Sequence, residues 1–284
     1  MTPPVWDERR LAMLEAMGIR LWRAPVAMHP AEIGPPVRVA QVPAAPASKS
    51  SLPPDGVLPS SVSVMADAVE RAATTVTAET GRRSVGIEAM GWPALREAVA
   101  QCRACSLCSS RRQTVFGVGN PQAHWMLVGE APGEQEDRLG EPFVGKAGQL
   151  LDNMLAAVGL TRQEAEPARQ VYIANVLKCR PPANRNPEPQ EVAQCEPFLK
   201  RQVELVAPRL ILAMGRFAVQ SLLGSHEPIG RLRGKVHHYH GVPLVVTYHP
   251  AYLLRNPLDK ARSWEDLCLA REVVLQAAER GAAP

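Results

Sequence analysis

Hydrophobic and polar positions change character near residue 93. Beyond it, short apolar runs alternate with segments whose apolar residues recur every three or four positions, the marks of strand and helix respectively. The runs at 124–128 (with Trp-Met-Leu-Val inside), 171–174 and 209–213 predict buried strands. Residues 146–158 place Leu150, Leu151, Met154 and Leu155 on one face and predict a helix. Helices are likewise predicted over 93–105, 189–206 and 264–278, and from Gly215 to residue 223. Segments 235–239 and 243–247 form two strands paired around Gly241. Such alternation predicts an α/β fold with a parallel sheet covered on both faces. Ligands bind such sheets at the carboxyl ends of the strands, so the loops after Val128, Ala174, Ala213 and Thr247 are where chemistry is expected.

Upstream the pattern is poor. Residues 25–60 hold nine prolines in 36 positions, among Ala, Val and Ser. That composition buries little and resists both helix and sheet, so a disordered linker is expected, continuing through the weakly patterned 61–92. Before it, Leu11, Leu14 and Met17 fall at helical spacing, with Met13 beside them, and predict one short amphipathic helix within 6–22. The expected division is a helix in 1–24, a linker over 25–92 and a folded domain over 93–284, with no internal repeat.

Composition narrows the class. The 284 residues are 46% hydrophobic and 21% charged, as in ordinary globular proteins. No apolar run approaches the roughly 18 residues that span a bilayer, and the first residues show no basic-then-apolar leader, so a cytoplasmic protein without a membrane segment is expected. The net charge of +4 lies wholly in residues 96–284, which carry 23 Lys and Arg against 19 Asp and Glu. That mild excess permits a polyanionic partner.

Six cysteines are present, three of them within seven residues: Cys102, Cys105 and Cys108. Cys179 and Cys195 follow at a spacing of sixteen, and Cys268 sits inside the last predicted helix, where it is expected in the core. Four thiolates can hold zinc or an iron–sulfur cluster, and spacing decides neither the metal nor whether Cys108 takes part.

Three ordered motifs carry a resemblance. The first is Gly129-Glu130-Ala131-Pro132-Gly133-Glu134-Gln135-Glu136-Asp137, followed by Pro142-Phe143-Val144-Gly145-Lys146-Ala147-Gly148-Gln149-Leu150-Leu151. The second is Asn175-Val176-Leu177-Lys178-Cys179-Arg180-Pro181-Pro182, and the third is His249-Pro250-Ala251-Tyr252-Leu253-Leu254-Arg255-Asn256-Pro257. Together they resemble the family 4 uracil-DNA glycosylases over residues 97–280. The resemblance implies a three-layer αβα sandwich around a four-stranded parallel sheet, and excision of uracil from DNA by a monomer. It implies a structural 4Fe–4S cluster on Cys102, Cys105, Cys179 and Cys195, with Cys108 left out. The first motif would set Gly129 and Ala131 against the base.

The chemistry suits those residues. A glycosylase must extrude the base, identify it and stabilise the anion that leaves. Phe143 offers a flat surface for a pyrimidine. The amide of Asn175 can donate to uracil O4 and accept from N3–H, a pairing that cytosine reverses. A neutral His249 donating to O2 would bond most strongly as charge develops there. Compared with the best-studied uracil glycosylases, Ala131 stands where an aspartate serves the water, and Gly133 where an aromatic wall excludes the thymine methyl. The backbone, Glu130 or Glu136 is then expected to hold the water. Lys146, Arg180 and Arg255 are expected on DNA phosphates, and Leu253 or Leu254 as a wedge in the base stack. A non-catalytic iron–sulfur DNA-binding module is the alternative, but it would have no use for Phe143, Asn175 and His249 together. Finally, residues 9–23 resemble the N-terminal peptide by which the psi subunit of bacterial DNA polymerase III grips its clamp loader. Leu14, Ile19 and Trp22 would be the anchors.

Overall fold

Six strands make one mixed sheet in a computed structural model that describes residues 86–281. In chain order they are β1 (Val118–Gly119), β2 (Trp125–Gly129), β3 (Tyr172–Asn175), β4 (Leu210–Met214), β5 (Val236–Tyr239) and β6 (Val242–Thr247), arranged β1-β3-β2-β4-β6-β5. The inner four, β3-β2-β4-β6, are parallel, and β1 and β5 add antiparallel edges. The expected four-stranded parallel sheet is therefore the centre of a six-stranded one. β1 escaped notice because two residues carry no periodicity. β5 is the outer half of the hairpin expected around Gly241.

The helices are α1 (Trp92–Ala100), α2 (Leu107–Ser110), α3 (Glu134–Leu139), α4 (Lys146–Ala157), α5 (Pro189–Val206), α6 (Arg216–Leu223), α7 (Ile229–Leu232), α8 (Pro250–Arg255) and α9 (Lys260–Gly281). Every residue of β2, β3 and β4 is buried, as covering on both faces requires. Alternate side chains then feed two cores. Trp125, Leu127, Ile173, Leu212 and Val245 meet α4, α8 and α9 on one face. Met126, Val128, Ala174, Ile211, Ala213 and Val246 meet α5 and α6 on the other. This is the expected three-layer sandwich.

Three expectations shift. The expected helix docking segment, 1–24, and most of the linker lie outside the described residues. Within the remainder of 25–92, however, Ile87 is buried against Leu95, Phe116 and Phe198, so residues 87–92 pack with the folded unit. The helix expected over 93–105 ends at Ala100, which leaves Cys102 and Cys105 on the segment that follows. Cys268 is exposed rather than in the core, because the buried stripe of α9 runs through Leu267, Ala270 and Val273, one position off. Among the described residues no helix is long and apolar enough to cross a membrane.

Candidate active site

The aligned carboxyl ends of the parallel strands open into a cleft of about 770 Å³. Glu130, Ala131, Glu136, Phe143, Asn175 and His249, which come from three distant stretches of chain, all line it.

Asn175 ends β3 opposite Gly129, the last residue of β2. Its side-chain Oδ1 is buried without a partner among the described residues. A buried polar atom left unpaired costs about 1–3 kcal/mol, so this amide stands ready for a ligand. A Cβ on Gly129 would run into Asn175 Oδ1 and stand 2.7 Å from the Phe143 ring. Glycine at 129 is what lets the amide and the ring close together. Phe143 itself is 5% exposed and holds φ at 55°, a left-handed conformation costly for a bulky residue and characteristic of functional loops. Its ring stacks on His249, with centroids 5.3 Å apart and planes at 29°.

His249 caps α8. Its Nδ1 accepts the Ala251 N–H at 3.1 Å, so the ring proton of the neutral imidazole sits on Nε2. Neighbouring atoms enclose the ring although one edge faces the cleft, and this desolvation, aided by Arg255, pushes its pKa down to about 4. The result is a neutral N–H donor. Desolvation pushes the Glu130 carboxyl the other way, to about 7, against the pull of Arg216. Glu136 is committed to the loop: its Oε1 accepts the N–H of Val144 at 3.1 Å and that of Gly145 at 3.4 Å, just past Phe143.

Behind the cleft, Cys102, Cys105, Cys179 and Cys195 line a second, small cavity. Cys108 lines it too, so the cavity alone does not separate the fifth cysteine from the four. Burial pushes the thiols of Cys179 and Cys195 up, to about 11 and about 12. Arg111 Nη1 donates to Cys179 Sγ at 3.0 Å, and Lys178 also borders the cavity. Among the described residues, no three His, Cys, Asp or Glu side chains stand close enough to share one metal ion. A cubane offers four separate iron corners and takes its thiolates from farther apart than a single tetrahedral ion does. Burial lowers the Lys178 amine to about 7, so the standing cation beside these cysteines is Arg111, which suits an anionic cluster.

Comparison with known proteins gives the family. The family model of the uracil DNA glycosylase superfamily matches residues 116–270. The chain belongs to that superfamily. It is 45% identical over 167 residues to a type-4 uracil-DNA glycosylase of Archaeoglobus fulgidus, covering 56% of this chain and 81% of the relative. A type-4 enzyme of Thermotoga maritima is 42% identical over 168 residues, covering 58% and 84%. A type-5 enzyme of Pyrobaculum aerophilum is 35% identical over 150 residues, covering 49% and 66%. The chain groups with the type-4 members of the superfamily.

The residues expected on DNA fare unevenly. Lys146 is exposed at the start of α4, and Arg255 is exposed on the rim of the cleft. Arg180 is engaged within the protein, its Nε donating to Asn184 Oδ1 at 2.8 Å and its guanidinium 3.7 Å from Glu134. Leu253 is 1% exposed in the core and cannot wedge, whereas Leu254 is 44% exposed. Twin leucines in a row look alike in sequence; helix phase buries one and frees the other. The sequence reading missed Arg216 and Asn184, which also line the cleft. Arg216 opens α6 just past β4, at a strand end marked for chemistry without any residue named.

Because the native state holds His249 neutral while an unfolded chain takes up its proton near pH 6.5, this group withdraws stability as pH falls from about 6.5 towards 4. Nitrogen NMR of the labelled ring should show an Nε2–H tautomer that titrates near pH 4; a midpoint at the ordinary 6.5 would contradict the enclosed, capped imidazole.

Proposed function

We propose that the chain excises uracil from DNA, leaving an abasic site for base-excision repair. The observation that carries this is the convergence of Phe143, Asn175 and His249 on one cleft floor, with the Asn175 amide unspent. The flipped base lies along Phe143. Asn175 accepts from N3–H and donates to O4. Nε2–H of His249 donates to O2, where negative charge gathers as the glycosidic bond breaks. That donor is present before the reaction and needs no reorientation.

Alanine at 131 has no group to activate water. Glu130, which lines the cleft and carries no bond to the Phe143 loop, takes that task once ionised. Glu136 positions rather than reacts. A Cβ on Gly133 would stand 2.6 Å from Glu136 Oε2, so the carboxylate fills the space beside this glycine and walls off the methyl of thymine. Lys146 and Arg255 meet phosphates, and Leu254 enters the stack in place of the buried Leu253. The protein acts as a monomer in the cytoplasm, on single- or double-stranded DNA.

His249→Ala and Asn175→Ala should each slow single-turnover excision about ten- to a hundredfold, one charge-assisted bond being worth roughly 1.5–3 kcal/mol. Glu130→Gln should abolish the rise in rate through about pH 7. Wild-type rates in His249→Ala would rule out leaving-group stabilisation.

Cys102, Cys105, Cys179 and Cys195 would hold a 4Fe–4S cluster. Cys179 and Cys195 are buried and Cys102 and Cys105 half-buried, all four around one small cavity. When bound, such a cluster supplies a brace for the loops facing DNA. Cys179→Ser should bleach the visible absorbance and lower the melting temperature, while Cys108→Ser keeps both; equal iron loss would refute the ligand set.

Residues 1–24 would dock on a replication clamp loader through Leu14, Ile19 and Trp22, bringing the enzyme to newly made strands. A peptide of residues 1–28 should bind the clamp-loader complex, and Trp22→Ala should abolish binding. Binding indifferent to Trp22 would remove the idea.

A further inference from the structure

Building on the uracil reading of the cleft, we propose that Lys178 is a positioning residue that sets the Asn175 amide through a buried polar chain. Lys178 is 1% exposed, and a buried amine must find acceptors for its N–H groups. Its Nζ donates to the Asn175 carbonyl at 2.7 Å and to Gln202 Oε1 at 2.6 Å. Both acceptors are neutral, so these bonds orient backbone and side chain instead of neutralising a carboxylate. Gln202, fully buried on α5, then donates from Nε2 to the Phe116 carbonyl at 2.8 Å and to the Tyr172 hydroxyl at 3.1 Å.

The chain of bonds thus grips β3 at both ends, at Tyr172 where the strand begins and at Asn175 where it stops. Anchoring the Asn175 carbonyl fixes the peptide plane between Asn175 and Val176. The direction in which the Asn175 side chain leaves the backbone follows from that plane. The amide has no side-chain partner of its own on Oδ1 among the described residues, so its aim depends on the backbone beneath it. Lys178 supplies that aim without touching the base.

Lys178→Met keeps the length of the stem and removes the donors. Single-turnover excision and the Kd for free uracil, the latter by calorimetry, would be measured in four proteins: wild type, Lys178→Met, Asn175→Ala and the double variant. Lys178→Met should slow excision about tenfold and weaken free uracil about tenfold. In the Asn175→Ala background it should add nothing, because it acts through that amide. An equal further loss in both backgrounds, or no loss in either, would overturn the proposal and leave Lys178 a matter of stability. Gln202→Met removes the acceptor that holds the Lys178 amine and gives a second route should Lys178→Met fail to fold. Its losses must show the same dependence on Asn175, and independence would overturn the proposal equally. If Asn175→Ala itself excised at the wild-type rate, the uracil reading would fall and this inference with it. Independent losses alongside an impaired Asn175→Ala would overturn this inference alone.

Discussion

The rung that pairs Gly129 with Asn175 at the end of the β2–β3 ladder is the contact from which the site grows. Parallel strands deliver their carboxyl ends to one edge, but only a strand pair in this register sets an amide against a residue without a side chain. The space a Cβ would take is used by Asn175 Oδ1 and by the Phe143 ring. The ring in turn lies on His249, carried by β6 two strands away. Three chemical groups from three elements therefore share one point because of a backbone pairing and a missing methyl.

The groups around that point are held in particular protonation states by their surroundings rather than by partners of opposite charge. His249 stays neutral because it is enclosed and because the backbone claims its Nδ1. Glu130 is pulled towards neutrality by the same loss of water. The pull of such a pocket on a pyrimidine grows as electrons move onto the base. That is the behaviour required for lowering a barrier rather than for tight binding of a ground state.

The parallel core was legible in the sequence because strands buried on both faces read as continuous apolar runs, and those at 124–128, 171–174 and 209–213 are such runs. Phe143, Asn175 and His249 were legible for a different reason: each stands in a short motif at the end of a strand or in the loop following. What stayed hidden depends on contacts between distant segments. Lys178 and Gln202 are 24 positions apart, and neither bears any local mark of the other. Glu136 read as one candidate to hold the water, but the fold spends one of its oxygens on the backbone past Phe143. Leu253 and Leu254 differ only in helix phase, and Cys268 misses the core by one position on α9. Residues 87–92 seemed too weakly patterned to fold, since their apolar side chains form no stripe of their own and complete a cluster built by α1 and α5.

The parallel sheet also governs when the pocket comes into being. β2 must find β4, with Trp125 opposite Leu210, across 84 intervening positions, and β4 must find β6 before His249 has a place. Pairings so distant are slow to form, since a long loop must close before any contact rewards it. During synthesis the first motif leaves the ribosome well before the third, and in that interval Phe143 has no imidazole to rest on and Asn175 no completed floor. A half-made chain thus lacks the means to break a glycosidic bond. The order of the strands makes competence for chemistry the last property the domain acquires.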